Sequence, residues 1–181
     1  MSAPLSLEEI LNFLLETPLF GDLDAHELSE VVHIMQVQGL RQGQTVFAEN
    51  QEGDAWYVLY EGQCIVTKET SFAGAREIAR LEPRSCFGEM AILDGSPRSA
   101  TVVAGSDVVV FRFPRDEFLS LLDTQTLAAY KLIHQMAKLL CQRQRLLNQR
   151  LSDALGDQTV DEHGVIRRNI GKLLDSFSVS E

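Results

Sequence analysis

The sequence predicts a mainly β fold with flanking helices, and three observations lead to this prediction. Between residues 36 and 81, short apolar segments alternate with turn signals, and glycines recur at positions 39, 43, 53, 62 and 74. Apolar residues at helical spacing precede this region, and nearer the C-terminus the chain continues for about 30 residues without glycine or proline. Short strands separated by turns at such intervals are typical of an all-β barrel or sandwich.

Two short helices are expected before the first strand. Ser6 is followed three residues later by Glu9, and Asp24 by Glu27, and apolar residues at helical spacing come after each pair. This spacing is the signature of a capping box, in which two side chains satisfy the free N–H groups at a helix start. Pro18 ends the first of the two helices.

The β pattern is interrupted at GEMAILD (88–94), which predicts a helix of one or two turns inserted into the β domain. Strands resume as SATVVAG and DVVVFRFP, and the glycine, serine and aspartate at 105–107 between them predict a hairpin turn. An irregular segment inside a regular fold is where a functional site is expected.

The C-terminal part is expected to be helical, with a short DEFLSLLD helix followed by a long one. We divide the chain into a β domain with N-terminal helices (1–123), a long dimerisation helix (124–156) and a polar tail with a weak helix (157–181). Two rows of apolar residues run along the long helix, and both rows cannot face one small domain. We therefore expect packing on the β domain at its start and, further along, a parallel two-helix homodimer seam.

Composition excludes several functional classes. The net charge of −10 disfavours a nucleic-acid partner, since contacts with phosphates need clustered lysine and arginine. The basic residues of 131–150 are expected to form a solvated helix face, or to bind acidic groups, including the N-terminal region, which contains no lysine or arginine up to residue 40. No apolar run approaches the ~20 residues of a membrane span, and the acidic N-terminus does not resemble a signal peptide. A cytoplasmic location is expected.

The sequence predicts neither a metal site nor an enzyme. The three cysteines are scattered without metal-ligand spacing, and the four histidines fall outside the predicted β region. A metal-binding β-barrel enzyme needs histidine and carboxylate ligands inside the barrel. No pattern typical of a serine or cysteine nucleophile is present.

The segment FGEMAILDGSPRSAT (87–101) carries the chemistry of an anion site. Gly88 allows close approach of a ligand to the backbone, and the short helix that follows offers free N–H groups. Arg98 can bind phosphate oxygens as a planar fork, and Ser99 adds a hydroxyl donor. Glu89 does not suit an anion, but it can accept a hydrogen bond from a sugar hydroxyl. These groups favour a small nucleotide, although Glu89 and Arg98 could instead pair directly and hold a loop in place.

The same segment resembles the phosphate-binding cassette of the cyclic nucleotide-binding domain family, without a gap. PLFGDL (18–23) and the glycines and apolar pairs between 43 and 62 extend the resemblance over about residues 8–150. It implies a β-roll, similar to a double-stranded jelly roll, with N-terminal helices and a long C-terminal helix. One departure is Asn50-Gln51-Glu52, where many members have a turn with glycine.

The resemblance also implies the role of each site residue. Glu89 would accept from the ribose 2′-hydroxyl and Arg98 would pair with the cyclic phosphate. The remaining residues of the phosphate cradle would be Gly88, Met90, Ala91, Ser99 and Ala100. QMAKLLCQRQ is similar to the base-contacting helix of bacterial members and places Arg143 and Gln144 near the base.

The ligand implied is cyclic AMP, favoured over cyclic GMP, in a regulatory protein that acts on an unidentified protein partner. One alternative is a dimeric interaction module whose pocket is unused or binds another effector, such as a cyclic dinucleotide. Another is a transcription regulator, which we disfavour because only 25 residues follow Gly156 and none of them indicates a helix-turn-helix.

Overall fold

The computed structural model describes residues 5–70 and 74–156. The helices are α1 (Leu7–Leu15), a 3-10 turn (Pro18–Phe20), α2 (Ala25–His33), α3 (Met90–Leu93), α4 (Arg115–Asp123) and α5 (Leu127–Gly156). The strands are β1 (Gln36–Leu40), β2 (Thr45–Phe47), β3 (Ala55–Glu61), β4 (Cys64–Thr70), β5 (Gly74–Leu81), β6 (Cys86–Phe87), β7 (Thr101–Ala104) and β8 (Val108–Pro114). The mainly β fold with flanking helices is therefore confirmed.

The strands form two antiparallel four-stranded sheets, in the orders β1-β8-β3-β6 and β2-β7-β4-β5. The chain changes sheet between β3 and β4 at Gly62, whose φ is +85°. A Cβ atom there would lie 2.3 Å from the carbonyl oxygen of Asp107, so only glycine fits this corner.

The prediction of a hairpin turn at 105–107 is wrong. This segment joins β7 in one sheet to β8 in the other, and the two strands do not pair. Its backbone instead contacts the corner between β3 and β4, because the N–H groups of Gly105 and Ser106 donate to Gln63 O at 2.8 and 3.3 Å. Turn residues signal a change of direction, but they do not reveal which sheet receives the next strand.

Both predicted capping boxes are present. Ser6 accepts from the backbone of Glu9, whose carboxylate in turn accepts from the backbone N–H of Ser6 at 2.7 Å. Asp24 and Glu27 repeat this exchange at the start of α2, with distances of 2.8 and 2.9 Å. The two helices are thereby fixed at their N-termini before they pack on the sheet.

Strand β3 separates two cores. Alternate side chains point to opposite faces of a strand, so Trp56 and Val58 face the helices whereas Tyr57 and Leu59 face the other sheet. We call the first core the helix-side cluster; its fully buried members include Leu14, Phe20, Val31, Trp56, Phe111, Phe113, Phe118, Leu132 and Met136. We call the second the pocket-side cluster; it contains Leu40, Phe47, Ala55, Tyr57, Leu59, Cys64, Phe87, Val102, Ala104, Val108 and Val110.

The first half of the long helix α5 buries one face, whereas the second half is exposed. Ala128, Ala129, Leu132 and Met136 are buried in the helix-side cluster, which confirms the packing expected at its start. Further along, large apolar side chains are exposed; these are Leu146, Leu147, Leu151 and Leu155.

The first half of α5 is also attached by polar contacts to the acidic N-terminal region. Lys131 lies 2.7 Å from Glu27, and Gln135 donates to Asp22. Part of the basic stretch thus binds the chain's own acidic groups.

The predicted domain boundary at 123/124 falls between α4 and α5, whereas the predicted tail lies outside the described residues. Over 5–70 and 74–156, no helix is both long and apolar enough to cross a bilayer.

Candidate functional site

A cavity of about 210 Å³ lies between the inserted helix, the second sheet and α5. Eight of the nine predicted site residues line it, namely Gly88, Glu89, Met90, Ala91, Arg98, Ser99, Ala100 and Arg143. Gln144 is outside the lining, where its amide donates to Asn148 at 2.9 Å. Residues 54 positions apart in the chain are therefore brought to one site, although their individual roles stay predictions.

Arg98 is the most deeply placed charge of this cavity, with a side chain only 1% exposed. Its Nη1 donates to Gly88 O at 2.9 Å and its Nη2 donates to Ala55 O at 2.7 Å. The guanidinium carbon lies 4.1 Å from the centre of the Phe47 ring, within the range of a cation–π contact. Its Nε has no hydrogen-bond partner among the described residues. A buried donor without a partner is costly, and an acceptor inside the cavity would relieve that cost.

The Arg98 guanidinium is only partly neutralised. Asp54 Oδ1 lies 3.0 Å from Arg98 Nη2, but Asp54 Oδ2 lies 2.8 Å from Arg112 Nη2. Partial burial alone would raise the pKa of the Asp54 carboxyl, but the hydrogen bond from Arg112 and the charges of both arginines outweigh it and lower the pKa. Two guanidinium groups thus share one carboxylate, which leaves one positive charge at this end of the cavity.

Gly88 is required by both conformation and space. Its φ of +75° is rarely adopted by residues with a side chain. A Cβ atom at this position would lie 2.8 Å from Arg98 Nη1 and 3.2 Å from the Phe47 ring. The glycine therefore allows the buried guanidinium to sit against the backbone of the inserted segment.

Glu89 immediately precedes α3, and its side chain is 4% exposed. Its Oε1 accepts from Arg143 Nη1 at 2.5 Å, and Arg143 Nη2 donates to Cys86 O at 2.6 Å. The hypothesis that Glu89 and Arg98 pair directly is wrong, because Glu89 pairs with Arg143 and Arg98 pairs with Asp54. The two opposite charges of the segment thus remain separate.

The rim of the cavity is held by surface contacts. Lys68 donates to Ser99 O at 2.5 Å and lies 2.7 Å from Glu49, so its charge is already compensated.

The turn at Asn50-Gln51-Glu52 departs from the family pattern, and its Asn50 has a φ of +66°. Asparagine is among the few residues other than glycine that tolerate this conformation, which explains why the turn forms without glycine.

The rest of the lining is apolar and comes mainly from the second sheet. Phe47, Val66, Ala79, Leu81 and Val102 form this part of the wall. An apolar wall opposite a buried guanidinium suits a ligand with an anionic end and a flat, weakly polar end.

Sequence reasoning missed the roles of Asp54 and Phe47 at this site. Phe47 ends β2 and Asp54 directly precedes β3, and no local signal indicates that either residue contacts Arg98. In residues 5–70 and 74–156, no group of three or more histidine, cysteine, aspartate or glutamate side chains is arranged to hold a metal ion.

Comparison with known proteins agrees with this geometry. The family model of the cyclic nucleotide-binding domain matches residues 37–125. The chain carries a domain of the cyclic nucleotide-binding family. The match includes both sheets and the whole inserted segment, and the two-sheet β-roll is the fold that the resemblance implied.

The relatives of this domain are regulatory proteins. A cAMP-dependent protein kinase regulatory subunit from Yarrowia lipolytica is 34% identical over 110 residues, which are 61% of this chain and 28% of that subunit. The cyclic AMP receptor protein of Thermus thermophilus is 31% identical over 129 residues, which are 71% of this chain and 58% of that protein. The chain thus spans only part of the length of these relatives.

A solved structure of similar extent also matches. It is a cyclic nucleotide-binding domain from Methylobacillus flagellatus, 28% identical, with a TM-score of 0.71. The match covers 81% of this chain and 82% of that one, so it includes most of the elements described above.

Proposed function

We propose that this chain is a non-catalytic regulatory module that binds a cyclic nucleotide, with cyclic AMP favoured, and acts on a partner protein through α5. The observation that carries the proposal is Arg98, whose side chain is 1% exposed in the cavity wall. Its Nε has no hydrogen-bond partner among residues 5–70 and 74–156, and its guanidinium shares the Asp54 carboxylate with Arg112. One excess positive charge matches the single negative charge of a cyclic phosphodiester. A terminal phosphate, which carries a charge of roughly −1.5 to −2 at neutral pH, would be only partly neutralised.

The predicted site roles fit this geometry and remain part of the proposal. The cyclic phosphate would lie against Arg98 and the backbone of the inserted segment, with Gly88, Met90, Ala91, Ser99 and Ala100 as the cradle. The ribose 2′-hydroxyl would donate to Glu89. The base would lie along the apolar wall, towards Arg143 and Gln144 of α5.

The preference for cyclic AMP is supported by the relatives, two of which are named for cyclic AMP dependence or reception. The signal would leave the domain through α5, because the helix borders the cavity at Arg143 and then continues past the domain. Ligand binding would shift the population of α5 positions, and a partner protein would respond to that shift. No nucleic acid is required, and the predicted cytoplasmic location fits such a role.

The exposed half of α5 supports a homodimer. Leu147 and Leu151 are 43% and 44% exposed and lie four residues apart on one face, as in the seam of a two-stranded coiled coil. Gln144 lies three residues before Leu147 on this face. Sedimentation equilibrium is expected to give a dimer for the wild type and a monomer for Leu147→Glu.

A thermal-shift experiment tests the proposed ligand. Cyclic AMP is expected to raise the melting temperature at lower concentration than cyclic GMP, and 5′-AMP is the matched control because it keeps the base and ribose but carries more charge on its phosphate. A shift with a cyclic dinucleotide alone would favour the alternative of a different effector. If no cyclic nucleotide shifts the melting temperature at millimolar concentration, the proposal is wrong.

A further inference from the structure

A second arginine contacts the Asp54 carboxylate from outside the cavity. Arg112 lies on β8, and both of its neighbours in the strand belong to the helix-side cluster, so its side chain points to the opposite, pocket-side face. In the strand pairing it lies directly opposite Gln36 of β1 and Tyr57 of β3. Its side chain is 22% exposed and does not line the cavity. Arg112 can therefore act on a ligand in the cavity only through another residue.

The guanidinium of Arg112 is held on both sides. Its Nη1 donates to Gln36 Oε1 at 2.9 Å, and its Nη2 donates to Asp54 Oδ2 at 2.8 Å. The other carboxylate oxygen, Asp54 Oδ1, lies 3.0 Å from Arg98 Nη2. Within the described ranges, Asp54 is the only carboxylate that pairs with either arginine. The two guanidinium groups therefore compete for one counter-ion.

The position of Arg98 does not depend on Asp54 alone. Gly88 O and Ala55 O accept hydrogen bonds from its two terminal nitrogens at 2.9 and 2.7 Å, and its guanidinium packs on the Phe47 ring. These contacts are made by backbone oxygens and a buried ring, so a substitution of Asp54 leaves them in place. Asp54 therefore controls the charge at this end of the cavity more than it controls the place of the guanidinium.

The Nε of Arg98 shows what the competition decides. In residues 5–70 and 74–156 this donor has no partner. Nε and Nη2 form one edge of the guanidinium, and a carboxylate can bind both of them as a fork. Asp54 binds only Nη2, since its second oxygen accepts from Arg112. Without Arg112, Asp54 Oδ2 would be available to Nε, and the fork would use both the charge and the donor that a phosphate needs.

We infer that Arg112 is a positioning residue that sets the charge specificity of the site: it holds one oxygen of Asp54 away from Arg98 and so keeps one positive charge and the Nε donor available for a singly charged phosphate. This inference rests on the proposed function. Two arginines and one carboxylate give a charge of +1. Neutralising Arg112 lowers this charge to zero, and neutralising Asp54 raises it to +2. The affinity for an anion should follow this order.

A comparison of four proteins separates this role from a structural one. Cyclic AMP is titrated calorimetrically into the wild type, Arg112→Gln, Asp54→Asn and the variant with both substitutions. Arg112→Gln is expected to weaken binding about tenfold and Asp54→Asn to strengthen it about threefold, within the usual range of coupling between contacting residues. The double variant regains a charge of +1 and should bind within about twofold of the wild type.

The charge of the ligand gives a second readout. 5′-AMP has the same base and ribose as cyclic AMP, but its phosphate carries a charge of roughly −1.5 to −2. Asp54→Asn should therefore raise the affinity for 5′-AMP by a larger factor than the affinity for cyclic AMP. Arg112→Lys keeps the charge but not the planar contact with two acceptors, and it should retain part of the cyclic AMP affinity. Arg76→Gln changes an exposed strand arginine outside the cavity lining and is the matched control.

The double variant decides between the two roles. If Arg112 only stabilised the fold, a second substitution in the same network could not restore binding, and the double variant would bind no better than Arg112→Gln. That result, or equal cyclic AMP affinities of Arg112→Gln and the wild type, overturns the inference. If circular dichroism shows that Arg112→Gln is unfolded, folded Asp54→Asn decides, and unchanged or weaker cyclic AMP binding by it overturns the inference. Absence of cyclic nucleotide binding by the wild type would instead overturn the proposed function itself.

Discussion

The two cores that share β3 are completed in different ways. In the helix-side cluster, Trp56 stacks on Phe113 with ring centres 3.9 Å apart, and α1, α2 and α5 cover the sheet. The pocket-side cluster instead borders a cavity whose wall contains a buried arginine and a buried glutamate. Both faces of one strand are apolar, but only one of them is closed by the chain's own side chains. The comparison teaches that burial alone does not distinguish a structural core from a binding site, whereas buried charges that line a cavity do.

The largest expected effect tests the structural side of this comparison. Trp56→Ala should lower the free energy of unfolding by about 3–5 kcal/mol, because it removes a fully buried aromatic side chain and leaves a cavity. Denaturant unfolding followed by circular dichroism measures the loss. The matched pair is Val58→Ala on the helix side and Val66→Ala on the pocket side, because both remove the same two methyl groups. The fully buried Val58 should cost more than the partly covered Val66, for which about 1 kcal/mol or less is expected. Similar losses for the two variants would show that the cores do not differ.

The next effect distinguishes backbone strain from contact with the ligand site. Gly88→Ala places a Cβ atom 2.8 Å from Arg98 Nη1 at a φ of +75°, so cyclic AMP affinity should fall by roughly tenfold. Gly43→Ala is the control, since its φ is +84° but nothing lies within 4 Å of the new atom. Both variants should lose about 1–2 kcal/mol of stability through strain, and only the first should lose affinity. Titration calorimetry compares the affinities, and equal affinities would contradict the proposed cradle.

The smallest effect concerns the cysteines. Burial raises the pKa of the Cys64 thiol from 9.0 to about 11, and burial followed by the nearby Glu89 charge raises the pKa of Cys86. Both should resist iodoacetamide at pH 8, whereas the exposed Cys141 should react quickly. The neutral thiol of Cys64 stabilises the fold below pH 9, and this contribution is lost as the pH rises towards 11. Mass spectrometry after timed alkylation counts the modified thiols, and equal rates at all three would contradict this burial.

Much of the fold could be predicted from local patterns. The capping boxes at Ser6 and Asp24, the inserted helix and the 30-residue α5 were all visible in the sequence, because each depends on residues close together in the chain. The turn at 105–107 was assigned wrongly because sheet membership depends on pairing between distant strands. The inserted helix also begins at Met90, two residues after Gly88, since the glycine adopts a positive φ.

The site was predicted in part. Gly88, Glu89 and Arg98 were named because phosphate and hydroxyl recognition would need those residue types within one short segment; all three line the cavity, and their roles stay predictions. The pairing of Arg98 with Asp54 and of Glu89 with Arg143 joins residues 44 and 54 positions apart. Such partners become visible only after the sheets and α5 are assembled, so sequence reasoning allowed a direct pair that the fold does not form.

The central claim is that Arg98 binds the anionic group of a ligand in the cavity beside the pocket-side cluster. Calorimetric titration of cyclic AMP into the wild type and Arg98→Ala tests it most directly, with circular dichroism to confirm that the variant is folded and Arg76→Ala as a surface control. We expect Arg98→Ala to weaken binding by on the order of a hundredfold, about 3 kcal/mol, and the control to bind as the wild type does. Equal affinity of a folded Arg98→Ala variant and the wild type would contradict the account.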